Sequence, residues 1–184
     1  MALPSSGTIS INDIATEFGG TVPHSLSEYY RGGGLVPNIA ANSSVPTSGT
    51  ISISNFYGAQ NALWVTTMTA GQVIIPDPFG PTITVTGYDT LFFPTGSLSD
   101  TTVDFYGGAT CTGLFVSDSG GAASLYFYVA GSQSNSGWTT MTIGGYGSLN
   151  RTAATYGTYS GNTYWAWSGQ SHFSNGVNYS VSFV

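Results

Sequence analysis

The sequence predicts a mainly β fold. An antiparallel β-sandwich, or a jelly-roll-like domain, is expected over residues 61–184, after an extended N-terminal region with short helices over residues 1–60. From about Ala62 onward apolar and polar residues alternate with the period of a half-buried strand. Gly, Asn, Ser and Pro clusters interrupt that alternation at short intervals. No amphipathic helical window of useful length occurs in the same stretch.

The first third is organised differently, around a repeated phrase. Leu3-Pro4-Ser5-Ser6-Gly7-Thr8-Ile9-Ser10-Ile11 returns as Val45-Pro46-Thr47-Ser48-Gly49-Thr50-Ile51-Ser52-Ile53. A partial copy lies between them, where Ser25-Leu26-Ser27-Glu28-Tyr29-Tyr30 matches Ser52-Ile53-Ser54-Asn55-Phe56-Tyr57. Units this small cannot bury an apolar face alone, so they dock onto each other or onto another chain. Residues 1–60 therefore read as a docking and assembly region. Its candidate motif residues are Ile9, Ile11, Leu26, Tyr29, Tyr30, Arg31, Ile51, Ile53, Phe56 and Tyr57.

Within that region Ser10 and Ser25 each precede an acid by three positions, Asp13 and Glu28, the spacing of a capping box. The first predicts a helix to about Phe18, ended by Gly19-Gly20. The second predicts a helix through Tyr29-Tyr30-Arg31, ended by Gly32-Gly33-Gly34, with Arg31 against the negative end of the dipole. The triple glycine reads equally as a flexible linker.

Strands are expected at Leu63–Thr69, Gln72–Ile75, Thr82–Gly87, Thr101–Tyr106, Ala109–Ser117, Ser124–Ala130, Trp138–Ile143, Thr163–Ser168 and Asn178–Val184. Asp77-Pro78, Gly107-Gly108, Ser119-Gly120-Gly121, Ser136-Gly137, Gly161-Asn162 and Asn175-Gly176 are the turns between them. Parity puts Leu125, Phe127 and Val129 on one side and Tyr126 and Tyr128 on the other. It also makes Tyr179, Val181 and Phe183 a core row.

Composition narrows the function classes. Charged residues are 5% of the chain, against about 25% in ordinary soluble domains. Lysine is absent, Arg31 and Arg151 are the two basic residues, and the net charge is −6. Such a chain cannot neutralise a row of phosphates, so nucleic acid is not an expected partner. No apolar run approaches the roughly 18 residues of a membrane span, so no membrane insertion is expected. The N-terminus shows no signal-peptide pattern, and Cys111 is the single cysteine; both fit synthesis in a reducing cytoplasm.

Taken together, the phrases Leu3–Ser10, Ser25–Pro37 and Thr50–Gly58 resemble tail and fibre proteins of tailed bacteriophages, of the cyanophage and marine phage kind. The resemblance covers about a third of the chain. It implies a virion structural protein of a tail, baseplate or fibre, anchored through its N-terminal repeats and displaying a β domain for assembly or host attachment. Partners implied are other virion proteins, further copies of the chain as a homo-oligomer, and a host surface glycan. The shaft repeats of a long fibre are missing, which favours a small component. A carbohydrate-binding sandwich without a virion role is the alternative.

Catalytic patterns are not found. His24 and His172 do not have zinc-ligand spacing, Gly-x-Ser-x-Gly is absent, and the eight acids show no pairing signal. No enzyme activity, metal or cofactor is expected. The remaining candidates are binding aromatics: Tyr164, Trp165, Trp167 and Trp138. On a strand Trp165 and Trp167 share one side and Tyr164 takes the other, so either the tryptophans or the tyrosine face the core.

Overall fold

Ser10 caps a helix as its spacing to Asp13 predicts. In the computed structural model, which describes residues 3–76, 78, 80–119 and 123–184, α1 runs Ile11–Phe18. Asp13 Oδ2 accepts from the Ser10 N–H at 2.8 Å, and the Ser10 hydroxyl oxygen accepts from the Asp13 N–H at 3.3 Å. Gly19 ends the helix with φ +79 and donates to Ala15 O. Of the turn residues read from the sequence, Asp77 and Gly120-Gly121 lie outside the described residues.

The chain divides into two compact units, Met1–Leu63 with Val184, and Trp64–Phe183. The first is compact rather than extended, because the repeated phrases bury one another. Leu3, Ile9, Ile14, Phe18, Tyr29, Val36, Val45 and Phe56 form its core. The Tyr29 and Phe56 rings meet edge-on at 6.3 Å, and both are fully buried.

Pairing between the copies is crossed. Gly58 N donates to Pro4 O at 3.1 Å, and Arg31 N donates to Pro46 O at 3.0 Å. This second bond also stops the helix expected through Arg31. One 3-10 turn, Leu26–Glu28, forms instead, since the Arg31 N–H is taken by the other copy. Arg31 does not cap a helix; its Nε donates to Val45 O at 3.1 Å. The three glycines close a turn in which Gly32 N donates to Val36 O at 2.8 Å.

The second unit is mainly β, with two antiparallel sheets. Its strands are β1 (Trp64–Thr69), β2 (Gly71–Ile75), β3 (Ile83–Asp89), β4 (Ser97–Leu98), β5 (Thr102–Val103), β6 (Ala109–Ser119), β7 (Ser124–Ala130), β8 (Thr140–Ile143), β9 (Gly147–Asn150), β10 (Thr155–Tyr159), β11 (Asn162–Ser168) and β12 (Asn178–Phe183). The smaller sheet has the order β4-β1-β12-β8-β9, and the larger β10-β11-β7-β6-β3-β2, with β5 paired to β6.

Rings from both sheets meet between them, an arrangement consistent with a β-sandwich. Phe183 of β12 lies 4.8 Å from Phe127 of β7, and Trp64 of β1 lies 6.2 Å from the same ring. The parity expectations hold here: Leu125, Phe127, Val129, Tyr179, Val181 and Phe183 are all buried. The strand expected at Thr101–Tyr106 is shorter, because Asp104–Tyr106 turn into a 3-10 segment closed by Gly107 in the left-handed region.

Candidate functional site

The larger sheet carries a second aromatic layer on the side away from Phe127. Phe115 of β6 stands opposite Tyr126 of β7, and Tyr128 of β7 stands opposite Tyr164 of β11. Cross-strand neighbours on one face are close enough for rings to touch. Phe115 and Tyr128 stack at 5.8 Å and 6°, Phe115 and Tyr126 at 5.5 Å, and Tyr128 meets Tyr164 at 5.4 Å. Tyr126 and Tyr164 are half-buried, packed against the buried Phe115 and Tyr128, so the layer keeps part of its aromatic surface open to solvent.

Glycine makes room for it. A Cβ on Gly157 of β10 would come within 2.8 Å of the Tyr164 hydroxyl oxygen and 3.0 Å of its ring. Tyr164 therefore lies flat over bare backbone, an aromatic covering a strand glycine.

Asp89 fixes the other end of the layer. It is 1% exposed, and its carboxylate accepts from the N–H groups of Leu91 and Phe93 at 2.8 Å and of Phe92 at 3.3 Å. The loop so gathered lays Phe92 across Tyr128 at 5.6 Å and against Tyr159 at 5.7 Å. Burial under this cover pushes the Tyr128 phenol up to about 12, with smaller contributions from Tyr126 and Tyr164.

The tryptophans take the opposite side. Trp138, Trp165 and Trp167 are buried, and each indole N–H has an internal acceptor. Trp165 donates to Asn135 Oδ1 at 2.9 Å, Trp167 to Asn150 O at 2.8 Å, and Trp138 to the Tyr106 hydroxyl at 3.2 Å. These three are core residues, because the inner row needs large apolar volume where leucine is scarce. Of the four candidate binding aromatics, Tyr164 alone reaches the outer layer.

The assembly-motif residues divide in a similar way. Ile9, Tyr29 and Phe56 are internal to the first unit, and Ile11, Leu26, Tyr30, Arg31 and Ile51 are half-buried. Ile53 and Tyr57 are the exposed members, each 37% accessible.

One polar chain escaped the sequence reading. The Thr86 hydroxyl lies 3.0 Å from His172 Nδ1, and His172 Nε2 lies 2.9 Å from Asp118 Oδ2. Residues 54 and 86 positions from the histidine supply these groups, so no local spacing announces them. The order hydroxyl, imidazole, carboxylate is that of an acyl-transfer triad. Here, though, Thr86 is fully buried in β3, and its oxygen accepts the Phe173 N–H at 3.0 Å. A hydroxyl so enclosed cannot reach a substrate. The chain instead ties the segment before β12 to β3 and β6.

Among the described residues no group of three His, Cys, Asp or Glu side chains could hold a metal ion. No helix among them is long and apolar enough to cross a membrane. Cys111 is buried, and burial raises its thiol far above the ordinary range, which keeps it protonated and unreactive.

In comparisons with known proteins, no family model, no curated protein and no solved structure matches the chain.

Proposed function

We propose that this chain is a structural protein of a phage tail, baseplate or fibre. In this reading the first unit anchors it to neighbouring virion proteins or further copies of itself. The second displays the outer aromatic layer for assembly or host attachment. The observation that carries the reading is that layer: Tyr126 and Tyr164 are only partly buried, on a sheet whose other side already holds the tryptophan core. Tyrosine offers a large rigid ring and one polar group, which suits a contact surface. The N-terminal phrases supply the virion context, and a surface nearly free of charge suits permanent packing against neutral partners.

Electron microscopy of the purified chain and of particles carrying a tagged copy tests this. Rings, tubes or fibres, or label confined to the tail, support it; a dispersed monomer never incorporated into particles overturns it. The partly buried Tyr126 and Tyr164 also favour a carbohydrate-binding module without a virion role, for which glycan binding in the absence of any incorporation is the distinguishing result.

A further inference from the structure

We infer that the cleft between the β10–β11 hairpin and the end of β7 is a subsite for one neutral sugar ring, the terminal pyranose of a surface glycan. The inference rests on reading residues 64–183 as an attachment domain and adds the ligand class and its position. Gly131 and Ser132 form one wall, and the hairpin residues Thr158 to Asn162 form the other. The space between them is about 300 Å³, at the small end of ligand sites, which run from about 300 to 1,000 Å³. That volume takes one ring, not an extended chain.

The walls are braced from behind and open in front. Gly131 N donates to Gly161 O at 2.9 Å, and its carbonyl accepts from Thr163 Oγ1 at 2.8 Å. Asn162 Nδ2 donates to Ser160 O at 2.9 Å, and its Oδ1 accepts from Thr112 Oγ1 at 3.0 Å. By contrast, the side-chain hydroxyls of Ser132, Thr158, Tyr159 and Ser160 have no hydrogen bond among the described residues. Four free hydroxyls around a fixed frame can donate to and accept from sugar hydroxyls.

Tyr159 supplies the apolar plane. It is 57% exposed, and Phe92 at 5.7 Å steadies its ring without covering it. A planar ring beside a set of hydroxyl partners matches a pyranose, which has an apolar face and a polar edge.

Ser160 adds an independent sign. Its φ is +48, the one positive value on a non-glycine among the described residues. The two-residue turn Ser160-Gly161 would accept Asn or Gly there with less strain. Strain retained where it holds a hydroxyl at the mouth of a cleft is the pattern of a functional position. Charge then selects among sugars. No charged side chain lines the cleft, and a chain of net charge −6 repels sialylated or phosphorylated glycans.

The test uses the full chain on an array of oligosaccharides ending in neutral hexoses or N-acetylhexosamines, with sialylated and phosphorylated counterparts. Binding to a neutral set is expected, weakened tenfold or more by Tyr159→Ala. Ser160→Gly is expected to raise the melting temperature while weakening binding, a pairing that a merely structural serine would not produce. Neutral-glycan binding that survives both changes but is lost in Tyr126→Ala or Tyr164→Ala moves the ligand to the outer layer and overturns this inference alone. No glycan binding, with particle incorporation or cell adsorption intact, also overturns it and leaves the attachment reading standing. Loss of all three activities overturns both.

Discussion

The Tyr57 hydroxyl donates to the Gly7 carbonyl at 2.6 Å, across fifty positions of sequence. Tyr30 makes the equivalent bond to Gly49 at 2.5 Å. In the repeated phrases Tyr57 corresponds to Tyr30 and Gly7 to Gly49, so each copy closes the other. Equivalent bonds predict similar effects for Tyr57→Phe and Tyr30→Phe, each about 0.5–1.5 kcal/mol of destabilisation. Chemical denaturation of both variants checks this. A loss in one with none in the other would show that the copies are not energetically equivalent.

Neighbouring positions on β11 should respond in opposite ways. Trp165 is fully buried, stacked on Phe127 at 5.5 Å and bonded to Asn135. Trp165→Ala is expected to cost on the order of 3–5 kcal/mol through cavity formation, with the Asn135 acceptor left unpaired. Tyr164→Ala, on the outer layer, is expected to fold with a smaller loss and to weaken attachment. Thermal melting and cell adsorption measured on both variants separate the roles. A Trp165→Ala variant that melts like the parent would overturn the core assignment.

Strand faces were legible in the sequence because parity is local. Leu125-Tyr126-Phe127-Tyr128 needs only alternation to sort its side chains, and Ser10 needs only Asp13 three residues on. What parity cannot say is which side is the interior; only the position of the second sheet decides between Trp165 and Tyr164. The strands β4, β9 and β10 are not legible in the sequence because their Ser, Gly and Thr content reads as turn. The crossed pairing in the first unit and the Thr86–His172–Asp118 chain were out of reach for another reason: each joins residues set side by side by the fold alone.

Acid stability should depend on Asp118. The hydrogen bond from His172 holds its carboxyl below the ordinary carboxylate value of about 3.9, aided by the Thr84 N–H. With a folded pKa below the unfolded one, its contribution is fully present above the ordinary carboxylate range. It is lost as pH falls through the lowered folded value. Asp13, lowered by Ser10, contributes with the same sign. Melting temperatures measured between about pH 2 and 6 should fall with acid in the parent and fall less steeply in Asp118→Asn. An unchanged acid limb in that variant would show that the His172 contact does not stabilise the fold.

Two glycines under the outer layer should differ sharply in their tolerance of a methyl group. Gly87 of β3 has φ +128, and a Cβ there would press on the Leu114 carbonyl and lie 2.8 Å from Phe115 Cα, both backbone atoms that cannot step aside. Gly157 has no such dihedral demand. Its Cβ would meet the Tyr164 ring and hydroxyl, which can swing outward about χ1. Gly87→Ala is therefore expected to abolish folding or lower the melting temperature severely. Gly157→Ala should fold, with Tyr164 more exposed. The readouts are melting temperature and the accessibility of Tyr164 to nitration or solvent-perturbation absorbance. If Gly157→Ala proves as damaging as Gly87→Ala, the Tyr164 ring is locked in place by more than the backbone beneath it, and the outer layer is a rigid second core rather than an adaptable contact surface.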